Sequence, residues 1–272
     1  MNSVFQLVCP LCGAPLAADG KQCVCPQKHS FDFARQGYLH LLPVQQKHSL
    51  HPGDTKEMLM ARRRFLDKGY YEPIGQQVAD AICRYAPSKA PVIADIGCGE
   101  GYYTAMLRQR CHASCIGIDI AKDGVRMACS RDKSILWLVA TASSLPLQSA
   151  SLQAVTAMFS LFQPEEYARV LQQNGIVAEV TVGSRHLTEL KEIIYDTVFP
   201  QEKHPAPCGE AFRELQCQEQ EYHISLLNQD LQSLLMMTPH FWRIRQERRE
   251  ELMQTTALEL TVHYYLRVLQ KK

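Results

Sequence analysis

The 272-residue chain has no apolar run long enough to cross a bilayer, which excludes a helical membrane protein. It has almost no excess of charge of either sign. Against 28 acidic side chains stand 29 basic ones, so the whole chain shows no strong nucleic-acid footprint. Its first residues lack the basic-then-apolar pattern of a leader, so export is not expected and a cytoplasmic location is. An even cysteine framework is also missing. The cysteines number 11, an odd count in a chain too long to need disulfides for a core. Reduced thiols, a few of them metal-bound, fit better. Hydrophobic residues make up 46% of the chain, ample for one large α/β domain with a small appendage.

Four of the possible metal ligands come early and in pairs. Cys9-Pro-Leu-Cys12 precedes Cys25-Pro-Gln-Lys-His29, giving C-x2-C, a gap of 12 residues and C-x3-H. Two such pairs can close a tetrahedral Zn²⁺ shell, with no position left open for water, so the expected site is structural. Cys23, one residue from Cys25, is left outside the shell because its spacing makes no clean pair. A segment of this length cannot bury enough surface to fold alone, and metal binding supplies the deficit.

The most informative stretch is Val92-Ile93-Ala94-Asp95-Ile96-Gly97-Cys98-Gly99-Glu100-Gly101-Tyr102-Tyr103. A β-branched run ends in an acid, meets three glycines on alternate positions and continues as an amphipathic segment to Arg110. This reads as strand, tight turn and helix N-terminus, a place where a ligand approaches bare backbone at Gly97 and Gly99. A dinucleotide fingerprint would space its glycines G-x-G-x-x-G. Here the third glycine comes one place early, and G-x-G-x-G after Asp95 resembles motif I of class I S-adenosylmethionine (SAM)-dependent methyltransferases. Cys115–Asp119 reads as the next strand, and its terminal Asp119 is placed to take ribose hydroxyls.

The remaining pattern alternates strands and helices, which predicts a mostly parallel, doubly wound sheet. Strands are expected at 135–139, 154–160 and 176–182, with late antiparallel candidates at 220–226 and 257–262. A helix is expected at 164–173 and a turn at Asn174-Gly175. Ala142-Ser143-Ser144 stands where related enzymes often carry an acid for adenine, so hydroxyl or backbone groups would serve here. Asp54 and Glu57 predict a capping box for a helix over 55–66 that carries Arg62, Arg63 and Arg64. Residues 35–68 hold seven basic and three acidic side chains, a local excess of four that suits phosphate contact.

A longer set of residues narrows the reading. Gly37-Tyr38-Leu39, Leu41-Leu42-Pro43-Val44-Gln45, Lys47, Ser49, Pro52-Gly53-Asp54, Glu57-Met58, Ala61-Arg62-Arg63, Phe65-Leu66-Asp67, Gly69, Tyr71 and Pro73 resemble the RlmA family. So do the paired knuckles, DIGCGEGYYT, Arg185-His186-Leu187 with Glu189-Leu190-Lys191, and Met237-Thr238-Pro239 with Trp242-Arg243. That family comprises bacterial 23S rRNA guanine-N1 methyltransferases acting in the hairpin-35 loop. The resemblance implies an α/β fold of the class I SAM-dependent methyltransferase kind. Its sheet would be Rossmann-like, mostly parallel and seven-stranded, with a small zinc-binding domain at residues 1–36. The methyltransferase domain would occupy 37–272, with a basic helical connector at 37–88. Cys9, Cys12, Cys25 and His29 would ligate zinc, and Tyr71, Gly99, Glu100 and His186 would touch SAM. The partner would be 23S rRNA, with no membrane, and a homodimer is compatible with the resemblance.

After the strand at 154–160, the chain reads Phe159-Ser160-Leu161-Phe162-Gln163-Pro164 and lacks the Asn/Asp-Pro-Pro-Tyr/Phe of exocyclic-amine enzymes. Phe159 and Phe162 are candidates to stack on a splayed base, and 238–245 interleaves aromatic with basic residues. Guanine N1 must lose a proton, for which Glu179 and His186 are candidates; the residues alone name no base. Two rival readings are a small-molecule SAM enzyme and a non-catalytic, zinc-dependent RNA-binding protein.

Overall fold

The computed structural model describes residues 5–46, 53–198, 203–238, 241 and 244–272. Lys47, Ser49, Pro52, Pro239, His240, Trp242 and Arg243, which the sequence reading used, lie outside the described residues. In chain order come β1 (Ala17–Asp19), β2 (Gln22–Val24), β3 (Ser30–Asp32), β4 (Leu39–His40), α1 (Lys56–Leu66), α2 (Glu72–Tyr85) and β5 (Val92–Ile96). Then follow α3 (Tyr102–Arg110), β6 (Ser114–Asp119), α4 (Lys122–Ala128), β7 (Leu136–Val139), β8 (Leu152–Met158), α5 (Pro164–Val170) and β9 (Leu171–Val182). The chain ends with α6 (Thr188–Ile194), β10 (Phe212–Leu227), α7 (Asn228–Met236), α8 (Gln246–Gln254) and β11 (Ala257–Lys271).

Strands β1 to β3 form a small antiparallel sheet, and the others form an eight-stranded sheet in the order β10-β11-β9-β8-β5-β6-β7-β4. Pairing is parallel from β4 through β9 and antiparallel at β11 and β10. The sheet thus has one strand more than the seven expected. The addition is β4, whose Leu39 and His40 pair with Leu138 and Val139 of β7. Leu39 and Leu41 are buried beside Leu138 and Ile116, so the segment after the metal module closes one edge of the apolar layer. The late hairpin is longer than expected, running from Phe212↔Lys271 to Leu227↔Ala257.

Central strand β5 is buried on both faces, as a strand sandwiched between helices must be. Ile93 packs into one apolar layer and Ala94 into the other. The helix after β8 stops at Val170, three residues early, because Leu171 already begins β9. Asn174 adopts φ +62°, and the expected turn is a bulge inside β9 across which the β8 register shifts. The cap of α1 is Thr55, whose hydroxyl accepts from the Met58 amide at 3.3 Å; Asp54 instead pairs with Arg62.

Asp95 closes β5 inside the core. It is 2% exposed and accepts hydroxyl hydrogen bonds from Thr104 of α3 at 2.5 Å and Thr156 of β8 at 2.8 Å. Burial raises its pKa to about 6 against the pull of those two donors. An acid whose folded pKa is raised contributes stability that is full below the unfolded pKa and is lost as pH rises through about 6. Asp95→Asn lacks this dependence. Its melting temperature relative to the native chain should therefore climb from pH 4 to pH 6.5 and level off above. The span is on the order of 3 kcal/mol at about 1.4 kcal/mol per pKa unit. A difference that does not vary with pH would refute the assignment.

Candidate functional site

At the carboxyl ends of β5, β6 and β8, where the strand order reverses, lies a cavity of about 900 Å³. This is the position at which open α/β sheets bind ligands. All six residues expected to contact a cofactor line it: Tyr71, Gly97, Gly99, Glu100, Asp119 and His186.

The three glycines of the loop have positive φ: +78° at Gly97, +55° at Gly99 and +85° at Gly101. Their surroundings differ. A Cβ on Gly97 would stand 2.6 Å from the Ser160 Cβ, and one on Gly101 would stand 2.6 Å from the ring of buried Trp137. Gly99 is open by comparison, its nearest neighbour being Arg62 Nη1 at 3.5 Å. Two glycines therefore let the loop seat against the sheet, and the middle one leaves room for a ligand.

Asp119 fixes that middle glycine. One carboxylate oxygen accepts from the Gly99 amide at 2.8 Å and the other from the Ala121 amide at 2.7 Å. Burial raises its pKa, and the two amides offset part of the rise. The expected ribose acceptor thus also clasps the loop. Glu100 is 1% exposed, and its Oε2 receives Arg131 Nε at 2.7 Å. Its Oε1 is buried with no hydrogen-bond partner among the described residues. Thr141 and Ser143 also line the cavity, 3.0 Å apart through their hydroxyls, where hydroxyl recognition was expected.

The opposite wall is aromatic. Tyr71, 4% exposed, lies against Phe65, Phe159 and His186 at ring separations of 5.0, 6.3 and 6.1 Å. Phe159 holds φ +55° and is 38% exposed beside Leu161 at 76%. A bulky residue in that backbone region is strained, and such strain collects at functional sites. Phe162 instead packs on Tyr167 and under Arg267, so only one of the two phenylalanines faces the cavity.

His186 Nδ1 accepts from the His263 amide at 3.3 Å, which places its proton on Nε2, 3.4 Å from the Tyr71 hydroxyl. Fully buried His263 also accepts from the Arg185 amide at 2.9 Å and meets Glu219 at 2.7 Å. The sequence reading missed His263 because its partners lie over forty residues away. Glu179 is excluded as a base: it is buried against Arg267 at 2.5 Å and does not line the cavity. The three arginines of α1 diverge. Arg62 reaches the cavity, Arg63 donates to Ser130 at 2.9 Å and Arg64 is exposed. In the late basic segment, Arg245 and Arg248 pair with Asp196, and Arg249 lies over Phe241.

The metal-type residues converge as well. The ligand atoms of Cys9, Cys12, Cys25 and His29 all lie within 4.8 Å of one another. Cys9 Sγ and Cys25 Sγ are each 3.5 Å from His29 Nδ1, and Cys12 and Cys25 are 3.7 Å apart. Tetrahedral zinc with bonds of about 2.3 Å to sulfur and about 2.05 Å to nitrogen has edges of about 3.5–3.8 Å. The donor set fits that ion. Buried Cys23 lies outside the cluster and joins the core beside Leu7 and Leu39.

This fold, loop and cluster define a class I SAM-dependent methyltransferase carrying a zinc ribbon. Residues 7–50 match the family described as RlmA, N-terminal, and residues 93–176 match the methyltransferase domain. A 23S rRNA (guanine(748)-N(1))-methyltransferase of Streptomyces fradiae is 34% identical over 196 residues, covering 71% of this chain and 69% of the relative. A Micromonospora griseorubida protein is also 34% identical, covering 68% of each chain. YxjB of Bacillus subtilis is 29% identical over 93% of both chains. The names of these two give the same guanine-N(1) activity, provisionally. The chain belongs to the RlmA family of 23S rRNA (guanine-N1)-methyltransferases.

The loop geometry separates two substitutions. Gly101→Ala should lose about 1–3 kcal/mol to overpacking, with a further cost of roughly 1–2 kcal/mol for left-handed backbone. Gly99→Ala should bear only the backbone cost yet lose at least tenfold in SAM affinity. Denaturant melts and calorimetry check both; equal affinity losses at matched stability would contradict the division of labour.

Proposed function

We propose that this chain methylates N1 of a guanine in the hairpin-35 loop of 23S rRNA. The observation carrying this reading is one continuous cavity that joins an open glycine loop to an exposed Phe159-Leu161 edge, in a chain with the family's zinc ribbon. Bound SAM would supply a methyl group already activated as a sulfonium.

The chain's residues would hold the donor in separate ways. Gly97 and Gly99 admit it to the backbone, and Asp119 faces its ribose while fixing the loop. The vacant Oε1 of Glu100 suits an ammonium group. The face of Tyr71 suits a sulfonium, and His186 keeps Tyr71 in place. Phe159 offers a stacking surface to a base drawn out of its loop. Absence of an Asn/Asp-Pro-Pro-Tyr/Phe motif speaks against an exocyclic amine as acceptor. Cys9, Cys12, Cys25 and His29 hold a structural zinc. We take residues 1–36 as the metal-pinned arm and 37–88 as the connector, presenting RNA to the domain of 37–272. Cytoplasmic location and a homodimer belong to the same reading; no helix among the described residues is long and apolar enough to cross a membrane.

Incubated with labelled SAM and a 23S rRNA fragment containing hairpin 35, the protein should yield 1-methylguanine at a single position by mass mapping. Methyl found only on an exocyclic amine, or only on small molecules, would overturn the proposal. Metal analysis should give one zinc per chain, unchanged in Cys23→Ser and mostly lost in Cys12→Ser. Zinc loss in Cys23→Ser would reassign the shell.

A further inference from the structure

The cavity is electrically lopsided. Its carboxylates, Asp54, Glu100 and Asp119, cluster at the glycine loop, and each is engaged: by Arg62, by Arg131 and by two backbone amides. Around His186, the ionisable groups lining it are Lys191, Lys203 and Tyr71. No carboxylate among the described residues lines that part. A guanine whose N1 is to be methylated must lose the N1 proton there; Asp54 and Asp119 are both engaged, and the open Oε1 of Glu100 lies at the glycine loop, where it suits the donor's ammonium.

His186 is poorly suited, because its Nδ1 holds the His263 amide and its Nε2 faces the Tyr71 hydroxyl. Burial raises the Tyr71 pKa and keeps it a phenol. Lys191 is different. The residue is half-buried and lines the cavity, and its Nζ donates to the His186 carbonyl at 2.5 Å, its one hydrogen-bond partner among the described residues. A neutral amine in that position keeps one N–H on the carbonyl and has a lone pair to spare.

We propose that Lys191 is the general base of the reaction, its Nζ taking the guanine N1 proton as the methyl group arrives. The N1 electron pair forms the new nitrogen–carbon bond, and the carbon–sulfur pair leaves on sulfur. The proton ends on Nζ, so the positive charge of the sulfonium reappears as an ammonium. Desolvation favours the neutral amine, and the Lys203 cation pushes the same way; Glu189 opposes them. Glu189 is itself held by the amide and hydroxyl of Thr261. The inference rests on the guanine-N1 reading.

Two measurements test it on the full-length, zinc-loaded protein. The first is independent of turnover. With acetic anhydride pulses across a pH series and peptide mass spectrometry, Lys191 should become reactive at lower pH than the exposed lysines. Reactivity that follows theirs would overturn the proposal. The second is single-turnover methylation. Lys191→Ala and Lys191→Arg should both melt like the native chain and keep SAM affinity within about threefold. Both should lose about 10²–10⁴-fold in rate, the usual worth of a general base. Ethylamine, or raised pH, should restore part of the Lys191→Ala rate. Arginine stays charged and accepts no proton, so a Lys191→Arg rate within tenfold of native would overturn the base assignment. A native rate in Lys191→Ala would do the same. Should the native protein leave guanine N1 unmethylated, the substrate reading itself falls, whereas native N1 methylation with unaffected variants sinks only Lys191.

Discussion

Two carboxylates lie at the ends of neighbouring strands, buried Asp95 on β5 and half-buried Asp119 on β6, and neither forms a salt bridge among the described residues. Burying such groups is costly unless hydrogen bonds replace water. Asp95 finds its donors on α3 and β8, and Asp119 finds them on the glycine loop and at the start of α4. Each carboxylate therefore ties three pieces of chain together, and between them the loop has little freedom. Open backbone at Gly99 follows from this arrangement. A loop held only by apolar contacts could relax into the cavity it borders.

Glycine spacing is the second consequence. Trp137 of β7 is fully buried, donates its Nε1 proton to the Asp132 carbonyl at 2.9 Å, and fills the space above Gly101 and Gly117. One ring thus demands two glycines from distant parts of the sequence. The metal arm packs into the other apolar layer, across the sheet from Trp137. Val8 donates to the Pro146 carbonyl at 3.0 Å, Leu7 bridges to Leu147, and Leu7, Leu39 and Leu41 join the core containing Leu138. Zinc binding and sheet-edge packing are thereby one structural problem, since the strand that completes the edge leaves the ribbon within ten residues of His29.

The parallel sheet, glycine loop, zinc cluster and six cavity residues were legible because each depends on local pattern or on a recognisable string. What escaped the sequence is long-range or conformational. Strand β4 is two residues long and too short to give a period. His263 acts through Arg185, His186 and Glu219, a grouping that only the pairing of β11 with both β9 and β10 creates. The left-handed backbone at Phe159 leaves no trace in residue type. Thr55 displaced Asp54 as the helix cap because Arg62, two turns along α1, captures the Asp54 carboxylate. Glu179 looked like a base by position, yet Arg267 from the hairpin neutralises it in the core.

Side-chain direction also changes the meaning of the basic stretch at residues 35–68. Of its local excess of charge, Arg62 and Arg63 point toward the cavity and α4, leaving Arg35, Lys56, Arg64 and Lys68 exposed among the described residues. Four separated cations give modest phosphate attraction. Discrimination must then rest on what enters the cavity, where Phe159 and Leu161 present apolar surface at the rim and the lysines gather around His186. Such an arrangement favours an acceptor that can leave its stack, offers a flat face to an aromatic ring and becomes more negative as it reacts. A base locked in a fully paired helix offers neither a free face nor an accessible N1, and a small aliphatic amine offers no face.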